Sequence, residues 1–285
     1  MAVAGDTLVR DLKAGTLVDA TFAVSRKLRR ARKDGRPFLD LELADRSGRV
    51  RAKVWEGVPV LEQRFEVGDT VRVLGRVGEY DGRVEVEVRD VERIEAGDPA
   101  EYVPGARRDI ADLDGYIDFL IAEIADDQIR ALCEAVLGEP GFRERFRTAP
   151  ATEAGHHATA GGLIQHSVAV ATICREALQL HPRLKPDVLL AAALLHDCGC
   201  VDAFLDGPVI QPTPDGALLG HVHLTLRRVE RHASRLRMPP EHLQLVLGCI
   251  ASHHGPPEGR RFPSPEAVAL HAANALDARV EEALY

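Results

Sequence analysis

The sequence predicts a protein of two domains, an antiparallel β-sheet domain of about five strands followed by an all-helical domain. Apolar and polar residues alternate from Val18 to Val91, whereas every convincing segment after about residue 110 has helical spacing. All 12 histidines lie in the helical part, between His156 and His271. At 285 residues the chain has room for two domains of ordinary size. We therefore expect two halves with different tasks.

The β-sheet domain is predicted from two hairpin signals. FLDLELADRSGRVRAKVW, residues 38–55, contains two alternating strands around an Asp-Arg-Ser-Gly turn. One face of its second strand carries Val50, Ala52 and Val54, and the other face carries cations. The second hairpin is TVRVLGRVGEYDGRVEVEVRDVERI, in which Gly82 tolerates the positive φ of a tight turn.

The helical domain begins after a segment rich in proline and glycine, EAGDPAEYVPGARRD, which has no apolar period. The predicted domains are therefore residues 1–97 and 113–285, with a linker at 98–112. Prolines stand near three of the predicted helix starts, where a missing N–H costs little. The predicted helices are LDGYIDFLIAEIA, DQIRALCEAVLG, GGLIQHSVAVATICREAL, KPDVLLAAALLHD, GHVHLTLRRVERHASRL, PEHLQLVLGCIASHH and SPEAVALHAANALDARVEEAL.

Charge is divided unevenly between the halves. Residues 1–97 hold 19 Lys+Arg against 18 Asp+Glu, and the rest of the chain holds 17 against 26, which together give the net charge of −8. The five cysteines are too scattered for a disulfide framework and do not form a zinc ribbon, so we expect reduced thiols. The N-terminal residues lack the layout of a secretion signal, and no apolar stretch approaches the roughly 20 residues that cross a bilayer. We expect a cytoplasmic protein that does not enter a membrane.

Imidazoles and carboxylates stand in apolar surroundings on five of the helical segments. Burying so many polar groups costs several kcal/mol unless each finds a partner, and divalent transition metals suit this ligand set. Neighbouring residues on a regular helix point about 100° apart, but at a helix end, as before Gly199 and Gly255, both neighbours can face one site. Five further histidines are interpreted as ordinary core residues: His181, His223, His232, His242 and His271. The candidate ligands are His166, His196, Asp197, His221, His253, His254 and Asp277.

The motifs that carry these residues resemble those of a known superfamily. HHATAGGLIQHSVAVA, LLAAALLHDCG, GALLGHVHL, IASHHG and ALHAANALDA follow the order H…HD…H…HH…D of the HD superfamily of metal-dependent phosphohydrolases. With FLDLELADRSGRVRAKVW in the N-terminal half, the chain resembles the YhaM-like 3′-to-5′ exoribonuclease family from about residue 8 to residue 280. The resemblance implies a multi-domain α and β protein with an N-terminal five-stranded OB-like β-barrel and a C-terminal all-α HD-domain helical bundle.

The resemblance also implies roles for the ligands. One metal ion would be held by His166, His196, Asp197 and Asp277. The second would be held by His221, His253 and His254, with Asp197 bridging both and His196 and Asp197 forming the catalytic pair. Two divalent ions are expected, with manganese first and iron, cobalt, nickel or zinc as alternatives. Such a pair hydrolyses phosphodiesters.

One position departs from the family pattern. The family commonly reads HDxGK, with a lysine three residues after the aspartate. This chain reads HDCGC and has Cys200 at that position. A neutral thiol does not replace an ammonium group as a phosphate partner. Either another cation takes that role, or the activity is weaker or redirected. Candidates for phosphate contact or for support of the metal ligands are His156, His157, Arg227, Arg260 and Arg261.

A basic run in the β-sheet domain suggests a nucleic-acid interface. RKLRRARK places six cations in eight positions where an OB-fold has its first long loop or the edge of its first hairpin. OB-folds hold single strands with a combination of cationic side chains and exposed aromatic rings. The alternative is a solvated charged face with aromatic residues in the core. The candidate contacts are Arg26, Lys27, Arg29, Arg30, Arg32, Lys33, Phe38, Arg49, Arg51, Lys53 and Trp55.

The predicted function is metal-dependent 3′-to-5′ hydrolysis of single-stranded RNA, with single-stranded DNA as a further substrate to test. A nucleotide or cyclic-dinucleotide phosphodiesterase is one alternative, although HHGPPEGRRF lacks the Gly-Tyr-Pro that follows HH in the cyclic-dinucleotide group. A catalytically weak nucleic-acid-binding protein with a regulatory HD domain is another. Retention of all seven candidate ligands argues against the last. Self-association as a homo-oligomer is left open.

Overall fold

A computed structural model describes residues 7–95, 97–256 and 258–284. The chain divides into two compact units. The first contains the described residues up to Gly105 together with residues 206–211, and the second contains 106–205 and the described residues from 212 onward. The predicted linker 98–112 holds a short 3-10 helix, Pro99–Glu101, and the first residues of a long helix. The boundaries at 97 and 113 stay a prediction.

The first unit is a closed five-stranded barrel, which confirms the predicted β-barrel. Its strands pair in the order β1-β2-β3-β5-β4, and β3 with β5 is the parallel pair. Alternate residues such as Leu39, Leu41 and Leu43 fill the barrel and are fully buried. The strands are β1 (Leu17–Ala31), β2 (Pro37–Asp45), β3 (Gly48–Val54), β4 (Thr70–Tyr80) and β5 (Arg83–Arg93), with α1 (Val58–Leu61) between β3 and β4.

Both predicted hairpins are present. Strands β2 and β3 pair around the Asp-Arg-Ser-Gly turn, and Val50, Ala52 and Val54 point into the barrel core. The turn between β4 and β5 has φ of 52° at Asp81 and 70° at Gly82. Two consecutive positive φ values match a two-residue hairpin turn whose twist agrees with that of the strands.

The second unit is built from helices. Its helices are α2 (Ile110–Ala122), α3 (Asp127–Leu137), α4 (Phe142–Thr148), α5 (Gly162–Leu180), α6 (Pro186–Leu195), α7 (Cys200–Ala203), α8 (Pro214–Leu236), α9 (Pro240–Ala251) and α10 (Pro265–Leu284). The predicted proline starts are present at Pro186, Pro240 and Pro265. The short α4 and α7 escaped sequence-based prediction because one or two turns are too few to establish a period.

Helix α8 differs from the prediction that a helix begins at Gly220. It begins six residues earlier, capped by Thr213, and is interrupted at Gly220, where φ is 73° and ψ is 159°. Glycine adopts this conformation without the steric cost that a side chain would add. The regular helix that carries His221 therefore starts at the predicted place, directly after the kink.

Helix α6 is the centre of the helical unit. All residues from Val188 to Leu195 are buried, and the helix packs against α3, α5, α9 and α10. A helix that is apolar on every side belongs in a core. Among the described residues, no helix combines the length and the hydropathy needed to span a bilayer.

Candidate dimetal site and nucleic-acid interface

The central helix α6 ends one residue before the His196-Asp197 pair. Nδ1 of His196 lies 2.8 Å from the carbonyl oxygen of Ala193. Because a carbonyl only accepts, Nδ1 carries the proton and Nε2 keeps its lone pair. His253 is fixed in the same way, with Nδ1 2.7 Å from the carbonyl oxygen of Ile250 at the end of α9. Both helix ends thus orient an imidazole with Nε2 directed away from its own backbone.

The carboxylate of Asp197 lies between two groups of histidines. Its Oδ2 is 3.6 Å from Nε2 of His166 and 3.4 Å from Nε2 of His196. Its Oδ1 is 3.4 Å from Nε2 of His221 and 3.2 Å from Nε2 of His253. Each oxygen therefore faces its own pair of imidazole nitrogens, which is the geometry of a bridging carboxylate.

His254 joins the second group. Its Nε2 is 2.9 Å from Nε2 of His221, and its ring centroid is 4.0 Å from that of His253. Helix α9 ends at Ala251, so the turn lets two adjacent side chains face one point. The ligand atoms of Asp197, His221, His253 and His254 all lie within 4.8 Å of one another.

Asp277 lies on the other side of His166. Its Oδ2 is 2.7 Å from Nδ1 of His166 and 2.8 Å from Nε2 of His157. The sequence predicts Asp277 as a ligand beside His166, His196 and Asp197. In the structure, the carboxylate holds the ring nitrogen that points away from Asp197, as carboxylates behind metal-binding histidines do. Its direct ligation stays a prediction.

Several of the atoms that converge on Asp197 are acceptors that face other acceptors. Nδ1 of His166 faces the carboxylate of Asp277 and Nδ1 of His196 faces the carbonyl oxygen of Ala193, so when each ring carries a single proton, their Nε2 lone pairs face each other across 3.2 Å. Oδ1 of Asp197 and Nε2 of His253 are buried with no hydrogen-bond partner among the described residues. Such an arrangement is costly by itself, and bound cations would satisfy every lone pair. The residues therefore fit a divalent metal pair.

The protonation of His196, His254 and Asp197 also favours cations, whereas the carboxylate of Asp197 outweighs burial at His253 and raises the pKa of that imidazole. Burial lowers the pKa of His196 to about 3, and burial together with His253 lowers the pKa of His254 to about 4. Burial alone would raise the pKa of Asp197, but the imidazoles of His196 and His253 outweigh it and hold that pKa well below its ordinary range. Neutral imidazole and ionised carboxylate are the forms that bind metal.

Helix α10 supports the site through residues that the sequence analysis did not assign to it. Nδ1 of His271 donates to the backbone oxygen of His253 at 2.8 Å, and Nδ2 of Asn274 approaches the same oxygen at 3.5 Å. With Asp277 these side chains form an i, i+3, i+6 series on one helix face. That spacing is the signal that could have identified them.

The position of the missing lysine is sealed from solvent. Cys200 is fully buried, its Sγ donates to the carbonyl oxygen of Ala151 at 3.4 Å, and burial raises the pKa of the thiol well above its usual value. Of the candidate replacements, Arg227 lies 4.0 Å from Asp215, and Arg260 and Arg261 are exposed. None of these contacts places an arginine beside Asp197.

The predicted histidine pair ahead of α5 divides by role. His157 is buried, has a φ of 51° and bonds to Asp277. His156 is half-buried, with its ring centroid 6.0 Å from that of His166, and burial lowers its pKa. His157 therefore contacts a predicted ligand directly, and His156 lies beside one.

In the barrel, the basic run covers the end of β1 and the first two residues of the loop that follows, and the cations within the strand separate onto two faces. Arg26 and Arg30 pair with Asp40 on β2, at 3.6 and 3.1 Å. Lys27 points the other way: its side chain is 8% exposed, and Nζ donates to the carbonyl oxygens of Glu62 and Phe65. Burial with these partners gives Lys27 a structural role, because it ties β1 to the segment that follows α1.

The other predicted cations are also mostly paired. Arg29 lies 2.9 Å from Glu62, Arg49 lies 3.2 Å from Glu42, and Lys53 lies 2.9 Å from Glu85. Arg51 is half-buried on the same outward face of β3, and Lys33 is exposed in the loop after β1. A bound phosphate would have to compete with surface ion pairs, which are individually weak.

An aromatic platform forms where β2 begins and β3 ends. The rings of Phe38 and Trp55 stack with centroids 4.8 Å apart. The guanidinium of Arg32 lies 4.7 Å above Trp55, and Nζ of Lys53 lies 5.5 Å from Trp55 and 4.9 Å from the ring of Tyr80. Tyr80 is 65% exposed and was not among the predicted contacts. The three rings Phe38, Trp55 and Tyr80, with the cations Arg32 and Lys53, are called the aromatic platform below.

Comparisons with known proteins agree with this architecture. Residues 23–94 match the OB-fold nucleic acid binding domain, and residues 163–279 match the HD domain. The 3′-5′ exoribonucleases YhaM of Bacillus velezensis and Bacillus licheniformis are each 29% identical over 278 residues, covering 94% of this chain and 87% of the relative. The second OB-fold domain of replication protein A from Methanococcus maripaludis aligns over 31% of this chain and 94% of that domain, at 22% identity and a TM-score of 0.26.

The domain order and the extent of the match agree with the resemblance that the motifs predicted. The chain joins an OB-fold nucleic acid binding domain to an HD domain, and along nearly its whole length it is similar to YhaM-type exoribonucleases.

Proposed function

We propose that this protein is a metal-dependent 3′-to-5′ exoribonuclease acting on single-stranded RNA. The observation that carries the proposal is the position of Asp197, whose two carboxylate oxygens each face a separate pair of histidine nitrogens. The names of the relatives support RNA as the substrate and the 3′ end as the starting point. The helical domain is the hydrolase, and the barrel grips nucleic acid.

The residues of the site would divide the work as follows. Two divalent cations would be held by Asp197 together with His166 and His196 on one side and with His221, His253 and His254 on the other. When bound, such a pair polarises a phosphodiester, activates water near neutral pH and stabilises the leaving oxygen. Asp277, by accepting from Nδ1 of His166, keeps Nε2 of that ring free as a ligand.

The barrel would position the strand. Bases stack on exposed aromatic rings while cations follow the backbone, and this contact tolerates any sequence. The aromatic platform offers rings on β2, β3 and β4 beside Arg32 and Lys53. Manganese is the proposed metal, and single-stranded DNA is a substrate to be tested. An RNA substrate points to the cytoplasm, where the five free, buried cysteines would stay reduced.

The test is RNA hydrolysis with manganese and a single-stranded oligonucleotide labelled at its 5′ end. Wild type should give a ladder that shortens step by step, with mononucleotide products. Asp197→Ala should abolish the ladder while still binding RNA. His181→Ala, a change of an exposed histidine at the end of α5, is the matched control and should behave as wild type.

Other results would contradict the proposal. Internal cleavage would indicate an endonuclease. Intact RNA beside rapid hydrolysis of nucleotides or cyclic dinucleotides would indicate a small-molecule phosphodiesterase. Bound but intact RNA in all metals would support a binding protein with a regulatory HD domain.

A further inference from the structure

Gln165 lies directly before the predicted ligand His166 on α5 and is half-buried. Neighbours on a helix point about 100° apart, so the two side chains leave α5 on different sides. Oε1 of Gln165 lies 2.9 Å from the backbone nitrogen of Arg107 and 3.4 Å from that of Arg108. Because a backbone N–H only donates, both contacts require the amide oxygen here, and the amide nitrogen points away from this segment.

The amide nitrogen of Gln165 reaches the histidine that bonds to Asp277. Nε2 of Gln165 lies 3.5 Å from Nδ1 of His157. Nε2 of His157 lies 2.8 Å from Oδ2 of Asp277, and since a carboxylate only accepts, this ring nitrogen donates. When the ring carries a single proton, Nδ1 is the acceptor that the amide of Gln165 needs. The hydrogen-bond directions on the two sides of the ring therefore agree.

The backbone of His157 is held independently of its ring. Its carbonyl oxygen accepts from the N–H of Ala151 at 3.2 Å and packs so closely on Gly162 that a Cβ atom there would overlap it. The φ of 51° at His157 lies in the left-handed region, which persists in a non-glycine residue where its surroundings hold it. The orientation of the imidazole is then decided by its side-chain partners, Gln165 on one side and Asp277 on the other.

The segment that Gln165 accepts from is also anchored within the helical unit. The N–H of Ala106 donates to the carbonyl oxygen of Ala160 at 2.7 Å, and the guanidinium of Arg107 pairs with Glu281 on α10. The amide of Gln165 therefore has a fixed partner at its oxygen, which lets its nitrogen orient the ring of His157.

We propose that Gln165 is a positioning residue for the metal site and acts through His157 on Asp277, an inference that rests on the dimetal site of the proposed function. The imidazole that Gln165 orients holds Oδ2 of Asp277, the atom that accepts from Nδ1 of His166 at 2.7 Å. With Nδ1 engaged in this way, Nε2 of His166 faces Asp197 as a ligand.

A double-mutant cycle in manganese binding, measured by calorimetric titration, tests the proposal. Gln165→Met keeps the length of the side chain but removes both hydrogen-bonding groups, and should weaken binding by about tenfold. In the His157→Ala background the same change should alter the affinity by less than about twofold, because the residue through which Gln165 acts is gone. Gln179→Met, at an exposed position of α5, is the matched control and should bind as wild type.

Arg107→Ala is a second control. It removes the pair with Glu281 but keeps the backbone N–H that Gln165 accepts, so it should leave manganese affinity unchanged. A loss equal to that of Gln165→Met would show that anchoring of the segment, and not the orientation of His157, supports the site, and would overturn the proposal. Circular dichroism melting should show that every variant folds.

The metal-free protein gives a readout that does not depend on the metal. Nitrogen-15 NMR of the histidine rings should show His157, assigned by the loss of its signals in His157→Ala, with a proton on Nε2 and a hydrogen-bonded acceptor at Nδ1. Gln165→Met should shift the Nδ1 resonance, and Gln179→Met should not.

The remaining outcomes separate this inference from the proposed function. Manganese binding that is lost in Asp197→Ala but unchanged in Gln165→Met would overturn the inference and leave the proposed function standing. Additive losses for Gln165→Met and His157→Ala, or an Nδ1 resonance that ignores Gln165→Met, would also overturn it. Wild-type protein that binds no manganese would contradict the dimetal site itself, and the inference with it.

Discussion

The backbone N–H of Gly199 donates to Oγ1 of Thr225 at 2.8 Å, and both residues are buried. A side chain on Gly199 would be impossible here, because a Cβ atom would lie 2.4 Å from the backbone oxygen of His221. The loop that follows Asp197 is thus packed, backbone against backbone, on the helical turn that carries His221. This contact holds the segment that carries Asp197 against the helical turn that carries His221.

Replacing Thr225 tests that contact. Thr225→Val has nearly the same volume but leaves the Gly199 N–H without an acceptor, which costs about 1–3 kcal/mol. We expect it to weaken manganese binding by about tenfold, as loss of supporting contacts at metal sites does. Thr225→Ser keeps the hydroxyl and should bind nearly as wild type. Calorimetric titration measures both affinities, and equal affinities for the two variants would contradict the expected role.

Much of the site was predictable because its signals are local. His196-Asp197 and His253-His254 each follow an apolar helix and precede a glycine, so their place at helix ends could be inferred from the sequence. The side of His166 that Asp277 occupies could not be inferred, because it depends on how α10 packs on α5.

The barrel face was harder to predict for the same reason. Alternation predicted the inward residues of β3 correctly. A run of cations, however, does not reveal which of them meet a neighbouring carboxylate or which are buried against backbone carbonyl oxygens, as Lys27 is. Tyr80 was missed because its partner Lys53 is distant in the sequence. The two side chains meet because β3 and β4 both lie beside β5 in the barrel.

His157 should be needed for ordered metal ligation. It bonds to Oδ2 of Asp277, the atom that also accepts from His166, so His157→Ala should free that carboxylate and weaken metal binding by about 10- to 100-fold. His157→Gln places an amide N–H in a similar position and should recover part of the affinity. His156→Ala is the control from the adjacent position. A greater loss for His156→Ala than for His157→Ala would reverse the assignment.

Tyr80 should contribute a stacking contact with RNA. Removing one stacked ring costs about 1–3 kcal/mol, so Tyr80→Ala should weaken binding of a single strand by about 5- to 150-fold, and Tyr80→Phe should retain it. Fluorescence anisotropy in the Asp197→Ala background avoids degradation of the probe. Val60→Ala, on an exposed valine of α1, is the control. Equal binding by Tyr80→Ala and the control would exclude Tyr80 from the interface.

Replacing Cys200 with the lysine of the family motif should lower the free energy of unfolding. Cys200 is fully buried beside Ala151. Cys200→Lys would therefore bury an ammonium group or push α7 away from the residues that pack on it. The expected result is a loss of several kcal/mol in the free energy of unfolding, without a gain in activity. Cys200→Ala should cost much less. Urea denaturation compares the three proteins, and a stable, more active Cys200→Lys variant would show that the side chain reaches the substrate.

The pH dependence of stability should include a contribution from Glu266, which links the start of α10 to the start of α6. Its Oε1 accepts from the backbone N–H of Lys185 at 2.9 Å, and the side chain is buried. Burial alone would raise the pKa of Glu266, but the backbone hydrogen bond from Lys185 and other hydrogen bonds outweigh it, so the pKa is lowered.

A carboxylate with a lowered pKa in the folded state stabilises the protein above its unfolded pKa, and this stability is lost as pH falls through the folded pKa. Glu266→Gln keeps an acceptor but not the charge, and should cost about 1 kcal/mol at pH 7. The difference from wild type should shrink below about pH 4, where the wild-type carboxylate takes up a proton. Urea denaturation at pH 7, 5 and 3.5 measures it, with Glu230→Gln on an exposed position of α8 as the control. A difference that stays constant over this range would mean that Glu266 acts through packing and not through its charge.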